Sequence, residues 1–353
     1  MEFERSITPE KQKMGWLCSY TPLELIYSAG FVPYRIMGHS YPVKSADSYI
    51  HPNYCQFVKS AIDIAVEGGY EFLEGVIFMN SCDAMRRCHD VWKKFKPQKF
   101  ISFIDIPMGD SLLGVKYLTN EFLKLKTALE EYTKKNINHE TLEESIDLFT
   151  ESRSLYQQLN SLRLSNPPLV TGEEMMRLTS DFFKSSPTVW NANIKTLLEE
   201  KEQKLTINRK PRVLLSGSPI HDVEFISFIE SCGMNVIYED VCTGSKFFDI
   251  NIVKSDDLIN SLGEAYLNRP PCARMMKIKE RVSHIYEISQ KFKIDGIIHH
   301  SLKFCDVYLY DVPIIKDMLN EKEIKVVFIE SDGIGSPNQL RTRLEAFSEM
   351  IKN

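Results

Sequence analysis

Hydrophobic positions along this chain follow two different periods. Short apolar runs at Phe31 to Ile36, Val76 to Met79 and Phe100 to Ile104 read as strands, and Pro22 to Ala29, Tyr54 to Glu67 and Ala84 to Lys94 between them read as helices. The first helix carries start and stop signals: Thr21 as N-cap, Pro22 at the first helical position, Glu24 closing a capping box, and Gly30 at the end. From about Ser111 to Leu205 the pattern becomes helical throughout. Leu112, Val115, Leu118, Phe122, Leu125 and Leu129 share one face, as do Leu142, Ile146, Leu148, Leu155 and Leu159, with Lys and Glu filling the other faces. Asn166-Pro167-Pro168 breaks this segment, and Thr171-Gly172-Glu173-Glu174 starts a further helix. Pro211 opens a second alternating unit, with strands at Val213 to Leu215, Val236 to Tyr238, Ile297 to His299 and Val326 to Ile329 and a helix from Ile220 to Ser231. Strands alternating with helices imply parallel sheets with right-handed crossovers. The expected organisation is therefore α/β: an N-terminal α/β domain over 1–110, a helical segment over 111–209 and a C-terminal α/β domain over 210–353.

The two α/β units echo each other. Glu74-Gly75-Val76-Ile77-Phe78 leads to Cys82-Asp83, and Asp295-Gly296-Ile297-Ile298-His299 leads to Cys305-Asp306. This weak internal repeat places Cys82 and Cys305 at equivalent sheet edges, where two facing domains would converge on one cleft. Composition narrows the setting. At 353 residues, with 43% hydrophobic and 26% charged positions, the chain is of ordinary globular make-up and long enough for two cores. A net charge of −5 does not favour nucleic acid or anionic membrane as a partner. No apolar run approaches the ~20 residues of a membrane span. The charged start, Met1-Glu2-Phe3-Glu4-Arg5, lacks the apolar core of a signal peptide, so a cytoplasmic protein with reduced thiols is expected.

In that setting eight cysteines point to metal binding or redox chemistry more than to disulfides. Cys82, Cys242 and Cys305 each follow an apolar strand, Cys18 precedes the helix signal at Thr21, Cys55 opens a helical stretch, and Cys272 sits in Pro270-Pro271-Cys272-Ala273. The carboxyl ends of parallel strands are where open α/β sheets bind ligands. None of these six forms the close Cys-x2-4-Cys pair of a zinc site, and neither the Cys-x-x-Cys of a thioredoxin nor bacterial-ferredoxin spacing is present. Position alone leaves two readings open: a cluster held by single cysteines from several loops, or buried thiols behaving as small hydrophobes.

Several stretches resemble the 2-hydroxyacyl-CoA dehydratase and benzoyl-CoA reductase family. They are Gly15-Trp16-Leu17-Cys18-Ser19-Tyr20-Thr21-Pro22-Leu23-Glu24-Leu25-Ile26, Asn80-Ser81-Cys82-Asp83-Ala84-Met85-Arg86-Arg87, Lys303-Phe304-Cys305-Asp306, Ile329-Glu330-Ser331-Asp332, and Gln339-Leu340-Arg341-Thr342-Arg343-Leu344-Glu345-Ala346-Phe347. The resemblance runs in the same order over nearly the whole chain. It implies two flavodoxin-like parallel-sheet domains with an additional helical segment and an iron–sulfur cluster between the domains. It implies an ATP-hydrolysing iron–sulfur activator protein as electron donor, and anaerobic chemistry. The ligand trio of single-cluster subunits matches Cys55, Cys82 and Cys305. A branch with a double-cubane cluster has three further cysteines, which match Cys18, Cys242 and Cys272. Cys88 and Cys232 match neither set.

With all six positions filled, the resemblance implies an oxidoreductase that takes low-potential electrons from the activator and reduces a small substrate at a double-cubane cluster, as a homodimer. The alternative it leaves is a lyase: the single 4Fe-4S subunit of an (R)-2-hydroxyacyl-CoA dehydratase, acting by a ketyl radical in a heterodimer with a sister subunit. A non-catalytic electron carrier is the third reading. Other residues have two readings each. His299, His300 and Glu330 end strands near Cys305 and are candidate catalytic groups, the histidines as proton donors; the ordinary reading is satisfied core histidines and a turn carboxylate. Asp83 and Asp306 either tune the cluster or N-cap helices, and capping is favoured. Arg86 and Arg87 either meet a coenzyme A phosphate or the activator, or are solvated charge. Ser216-Gly217-Ser218-Pro219 resembles a phosphate-cradling turn without the Lys-Ser/Thr ending of a Walker A loop, so any ATP use falls to a partner.

Overall fold

A computed structural model describes residues 11–200, 210–332 and 338–352. The charged start at Met1 to Arg5, the helical boundary near Leu205 and the strand end at Gly333 lie outside the described residues. The chain forms two four-stranded, wholly parallel sheets. The first unit runs β1 (Lys13–Trp16), α1 (Leu23–Ser28), β2 (Val32–Arg35), α2 (Gln56–Val66), β3 (Leu73–Met79), α3 (Asp83–Phe95) and β4 (Phe100–Ile104). Four helices follow: α4 (Leu112–Thr133), α5 (His139–Leu162), α6 (Gly172–Lys184) and α7 (Pro187–Glu200). The second unit runs β5 (Arg212–Gly217), α8 (Glu224–Ser231), β6 (Asn235–Asp240), α9 (Ser245–Phe248), α10 (Leu258–Asn268), α11 (Ile278–Lys291), β7 (Gly296–Leu302), α12 (Asp306–Asn320), β8 (Val326–Ser331) and α13 (Asn338–Lys352).

The sheets share one topology, β2-β1-β3-β4 and β6-β5-β7-β8. This is the doubly wound α/β fold expected, with strand order reversing between β1 and β3 and between β5 and β7. Crossovers leave in opposite directions there, so a crevice opens at the carboxyl ends of those strands. The internal echo is thus a repeat of topology. Met79 ends β3 and Cys82 stands at the N-cap of α3, while Leu302 ends β7 and Cys305 stands at the N-cap of α12.

Both faces of each sheet are covered, which is why the strands read as continuous apolar runs. One face of the first sheet (Met14, Trp16, Ile77) continues into a large core with Leu118 and Phe122 of α4, Tyr156 of α5, Phe182 of α6, and Phe248 and Leu262 from the second half. The helical segment therefore packs on the first sheet and on α9 and α10 together. The opposite face is filled by α2 and α3 around Phe78 and Trp92, and Leu302 of β7 joins that cluster.

The start of α1 differs from the sequence expectation. Its N-cap is Pro22, and no side-chain capping bond forms. Glu24 is fully buried and turns to Arg153 of α5 and to the Tyr266 hydroxyl of α10, which donates at 2.8 Å. A capping box is worth about 1 kcal/mol, whereas a buried carboxylate left without a cation is far more costly, so the tertiary partners win. The box does form at α6, where the Glu174 amide donates to the Thr171 hydroxyl at 3.1 Å and the Glu174 carboxylate accepts from the Thr171 amide at 2.9 Å.

Candidate thiol-rich site between the sheets

The six cysteines gather where the carboxyl ends of the two sheets meet. Cys18 follows β1 and Cys242 follows β6. Cys55, Cys82 and Cys305 stand at the N-caps of α2, α3 and α12, and Cys272 lies in the loop between α10 and α11. Asp83 and Asp306 were expected to cap these helices. The cysteines hold that position instead, and the aspartates fall in the first helical turn, where their charge favours the positive end of the helix. Asp83 also accepts a hydrogen bond from the Tyr54 hydroxyl at 2.9 Å.

Electrostatic reach sorts the thiols. Burial, then the neighbouring Cys272 and Cys242, pushes the Cys18 thiol up to about 12. Burial, then Cys305 and Cys82, pushes Cys55 well above the usual thiol range. Burial also raises Cys82 to about 11, with Cys305 and Cys272 adding to it, and Cys305 to about 11, with Cys242 adding. The couplings therefore fall into two groups, Cys18–Cys242–Cys272 and Cys55–Cys82–Cys305, joined through Cys82–Cys272 and Cys305–Cys242. Of the other two, Cys88 is enclosed in α3 against the core around Phe78, and Cys232 ends α8 beside Arg341.

Different protein groups face the two sets of sulfurs. Cys55, Cys82 and Cys305 each meet the first-turn amides of a helix: Phe57 and Val58, Ala84 and Met85, and Tyr308, all of which pull the thiol back down. Helix N-termini favour anions. The second group meets arginines. Arg35, only 1% exposed, donates to the Cys242 carbonyl at 2.5 Å and to its Sγ at 3.5 Å, with its guanidinium stacked 4.5 Å from Phe183 and 4.7 Å from Trp16. Arg269 is buried and donates to the carbonyls of Ser19, Lys246 and Phe247, placing its charge over Tyr20. Among the described residues neither arginine pairs with a carboxylate, unlike Arg281, which holds the Cys272 carbonyl at 3.0 Å and pairs with Asp311. Tyr308 lies within reach of Cys272, Cys242 and Cys305.

These arginines and tyrosines were not singled out in the sequence. Arg269 offered a signal, a basic residue one turn before Cys272. Arg35 ends a short strand far from Cys242 in sequence, and only the meeting of the two sheets pairs them.

The remaining candidates are placed as follows. His299 and His300 are buried on opposite faces of β7. Burial holds the His299 imidazole down to about 4 and the His300 imidazole down to about 3, so both are neutral at physiological pH. His299 lies near Tyr308 and Phe328, and His300 Nε2 is 2.8 Å from the Ser331 hydroxyl. Glu330 is exposed on β8, an edge strand. Arg86 donates to Asn80, and Arg87 pairs with Asp90 at 2.7 Å on the surface of α3. The Ser216-to-Pro219 turn does not offer free amides to a phosphate. The Ser218 amide donates to the His300 carbonyl at 2.8 Å, Pro219 has none, and the Ile220 amide donates to Thr243 at 2.9 Å.

The donors are sulfurs, the ligand type of iron–sulfur clusters. Among the described residues no three His, Cys, Asp or Glu side chains converge as one metal ion requires. Thiolates that bind different irons of a cluster need no common point. Sulfur donors with amides and buried cations around them are the environment that such an anionic group needs.

Fold and site thus define a two-sheet α/β protein with thiols gathered at the junction of two topological switch points. Comparison with known proteins gives the family. The model of the 2-hydroxyglutaryl-CoA dehydratase D-component family matches residues 18–351, and the chain belongs to that family of enzyme components, as the cysteine-bearing stretches led us to expect. It is 24% identical to the (R)-phenyllactyl-CoA dehydratase beta subunit of Clostridium sporogenes, over 97% of this chain and 92% of that one. It is 23% identical to a benzoyl-CoA reductase subunit of Thauera aromatica (98% and 92% covered). It is 22% identical to the (R)-2-hydroxyglutaryl-CoA dehydratase beta subunit of Acidaminococcus fermentans (97% and 93% covered). No helix among the described residues is long and apolar enough to cross a membrane.

Proposed function

We propose that this chain is an iron–sulfur redox enzyme whose six cysteines, Cys18, Cys55, Cys82, Cys242, Cys272 and Cys305, hold a double-cubane cluster. It takes low-potential electrons from an ATP-hydrolysing activator protein and reduces a small substrate in the crevice between the sheets. The observation that carries this over a single-cluster reading is Arg35, a buried cation set against the Cys242 sulfur with no carboxylate partner among the described residues. An uncompensated buried charge costs several kcal/mol. Anionic sulfur at Cys18, Cys242 and Cys272 supplies the compensation, which a neutral, purely structural thiol trio does not. When bound, the cluster supplies single-electron transfer at low potential. The chain's own part is to hold the thiolates on three helix N-termini and Arg35, and to wall the site from water with Tyr20 and Tyr308. Iron and acid-labile sulfide analysis of anaerobically purified protein tests this. About eight irons per chain are expected for two cubanes; about four would remove the double-cubane reading, and none would remove any cluster.

A second reading is favoured by the relatives, three of which are named as subunits of acyl-CoA dehydratases and of a reductase. In it this chain is one subunit of an (R)-2-hydroxyacyl-CoA dehydratase, with Cys55, Cys82 and Cys305 holding a single cluster beside a sister subunit. It predicts a heterodimer that binds an acyl-CoA. A homodimer without acyl-CoA affinity in native mass and binding measurements would exclude it.

A further inference from the structure

The two cysteine groups differ in what holds their sulfurs in place. Cys55, Cys82 and Cys305 each stand at the start of a helix of 11 to 15 residues that packs on its own sheet. Cys18, Cys242 and Cys272 lie in loops instead. Cys18 precedes α1, of 6 residues, Cys242 precedes α9, of 4 residues, and Cys272 sits in the loop 269–277. Each loop closes its own turn. The Thr21 amide donates to the Cys18 carbonyl, the Gly244 amide to the Val241 carbonyl, and the Met275 amide to the Cys272 carbonyl, all at 3.0 Å. Such turns shape one loop and do not set its distance from the other two.

One guanidinium joins the three. Arg269 is the C-cap of α10 and opens the loop that carries Cys272, and it is buried. Its Nη1 donates to the carbonyl of Ser19, the residue after Cys18. Its Nη2 donates at 3.0 Å to the carbonyls of both Lys246 and Phe247 in α9, the helix that follows Cys242. The two arms of the fork thus reach two different cysteine loops from a residue fixed in the third. Tyr20 adds a second tie: its hydroxyl accepts from the Cys272 amide at 3.4 Å, and its ring centroid lies 5.5 Å from the Arg269 guanidinium. Further along the same loop, Arg281 donates to the Cys272 and Met275 carbonyls at 3.0 and 2.8 Å and pairs with Asp311. Stability alone does not require an arginine at position 269, since well-packed apolar residues often replace buried ions without loss. The guanidiniums of Arg269 and Arg35 both lie 5.7 Å from the Phe247 ring, so two like charges are buried side by side. What an arginine supplies is a planar, pre-organised fork whose donors fix the spacing of the groups they hold.

We infer that Arg269 is a positioning residue: its fork sets the spacing of three loops, so that Cys18, Cys242 and Cys272 are held together before any cofactor arrives. That a cofactor is what they await rests on the cluster reading above; the positioning itself does not. Arg269 acts through geometry where Arg35 acts through charge, so the two respond differently to lysine, a point charge without the fork. Iodoacetamide labelling of the iron-free full chain, followed residue by residue by mass spectrometry, reads the spacing directly. Arg269→Gln should label Cys18, Cys242 and Cys272 at least about tenfold faster than wild type, because lost charged hydrogen bonds raise the population of opened loops. Cys55, Cys82, Cys305 and the enclosed Cys88 should stay within about twofold of wild type, since their elements open independently of these loops. Arg269→Lys should label as Arg269→Gln does. Unchanged rates at the three loop cysteines, equal acceleration at Cys88, or wild-type rates in Arg269→Lys would each overturn the assignment. In anaerobically purified protein, Arg269→Gln should retain about four of about eight irons per chain, and retention of all of them would also overturn it. Wild-type protein that itself holds only about four irons, or none, would count against the double-cubane reading and leave the labelling result standing.

Discussion

Replacing Arg35 with methionine separates a structural cation from one that serves an anionic site. The guanidinium is 1% exposed, 3.5 Å from the Cys242 sulfur, and stacked on Trp16 and Phe183. Methionine has a similar length and carries no ionic desolvation cost, but it leaves the Cys242 carbonyl without its 2.5 Å donor. These terms oppose each other at about 1–3 kcal/mol for the hydrogen bond and several for the buried ion. Metal-free Arg35→Met should therefore unfold in urea within about 2 kcal/mol of wild type. The loaded protein should behave differently. Two unit charges 3.5 Å apart at an effective dielectric constant of about 20 interact by about 5 kcal/mol. If a quarter of an added electron's charge is felt at that range, the reduced form loses about 1.2 kcal/mol, or about 50 mV in a one-electron step. Arg35 favours the more negative, reduced state, so its removal lowers the midpoint potential. A redox titration followed by electron paramagnetic resonance measures this directly, with Arg35→Lys restoring most of the shift because it keeps the charge. Full iron content with a midpoint within about 10 mV of wild type would refute the assignment of an anionic group at Cys242.

Three further predictions rest on separate observations. Cys272→Ala should lose a large part of the bound iron, whereas Cys88→Ala should keep all of it and lose about 1–2 kcal/mol of stability from the core around Phe78; equal iron in the two variants would contradict the separation of site and structural thiols. Gly217→Ala should destabilise by at least about 3 kcal/mol, because the positive φ and the 1.9 Å approach to the His300 oxygen leave no room for a Cβ, and a thermal midpoint unchanged within a few degrees would show that β5 and β7 separate easily. Asp63 accepts from the amides of Lys44, Ser45 and Ala46 at 2.7–3.1 Å, and although burial raises its pKa, these bonds win and hold it below the usual carboxylate range. Its contribution is therefore present above an unfolded pKa of about 3.9 and is lost as pH falls through the lower folded value. Asp63→Asn should cost about 1–3 kcal/mol at pH 7 in urea unfolding, with the gap from wild type closing toward pH 3; a gap independent of pH would refute the ionic origin.

What the sequence discloses and withholds follows from where the determining interactions lie. Strands announce themselves as apolar runs, most fully where both faces are buried as in β3, β5, β6 and β7, so β2 to β8 are legible, and the echo around Cys82 and Cys305 foretells a repeated topology. β1 is not legible, although it pairs with both β2 and β3: its four residues, Lys-Met-Gly-Trp, contain a charge and a glycine, and only the sheet on both sides makes them a strand. The capping box at Thr21 is a sound local inference, overruled because Arg153 and Tyr266, distant in sequence, claim Glu24. The site follows the same rule. Its thiols are visible because cysteines are few and chemically distinct. Their counter-charges are not, because an arginine is read as surface unless something shows it to be buried. Arg35 becomes informative only once β2 of one half is seen to end against the loop after β6 of the other. A site built at the meeting of two repeated units thus keeps its ligands in local motifs and its electrostatics in the interface. The decisive test of function falls on the interface, at Arg35.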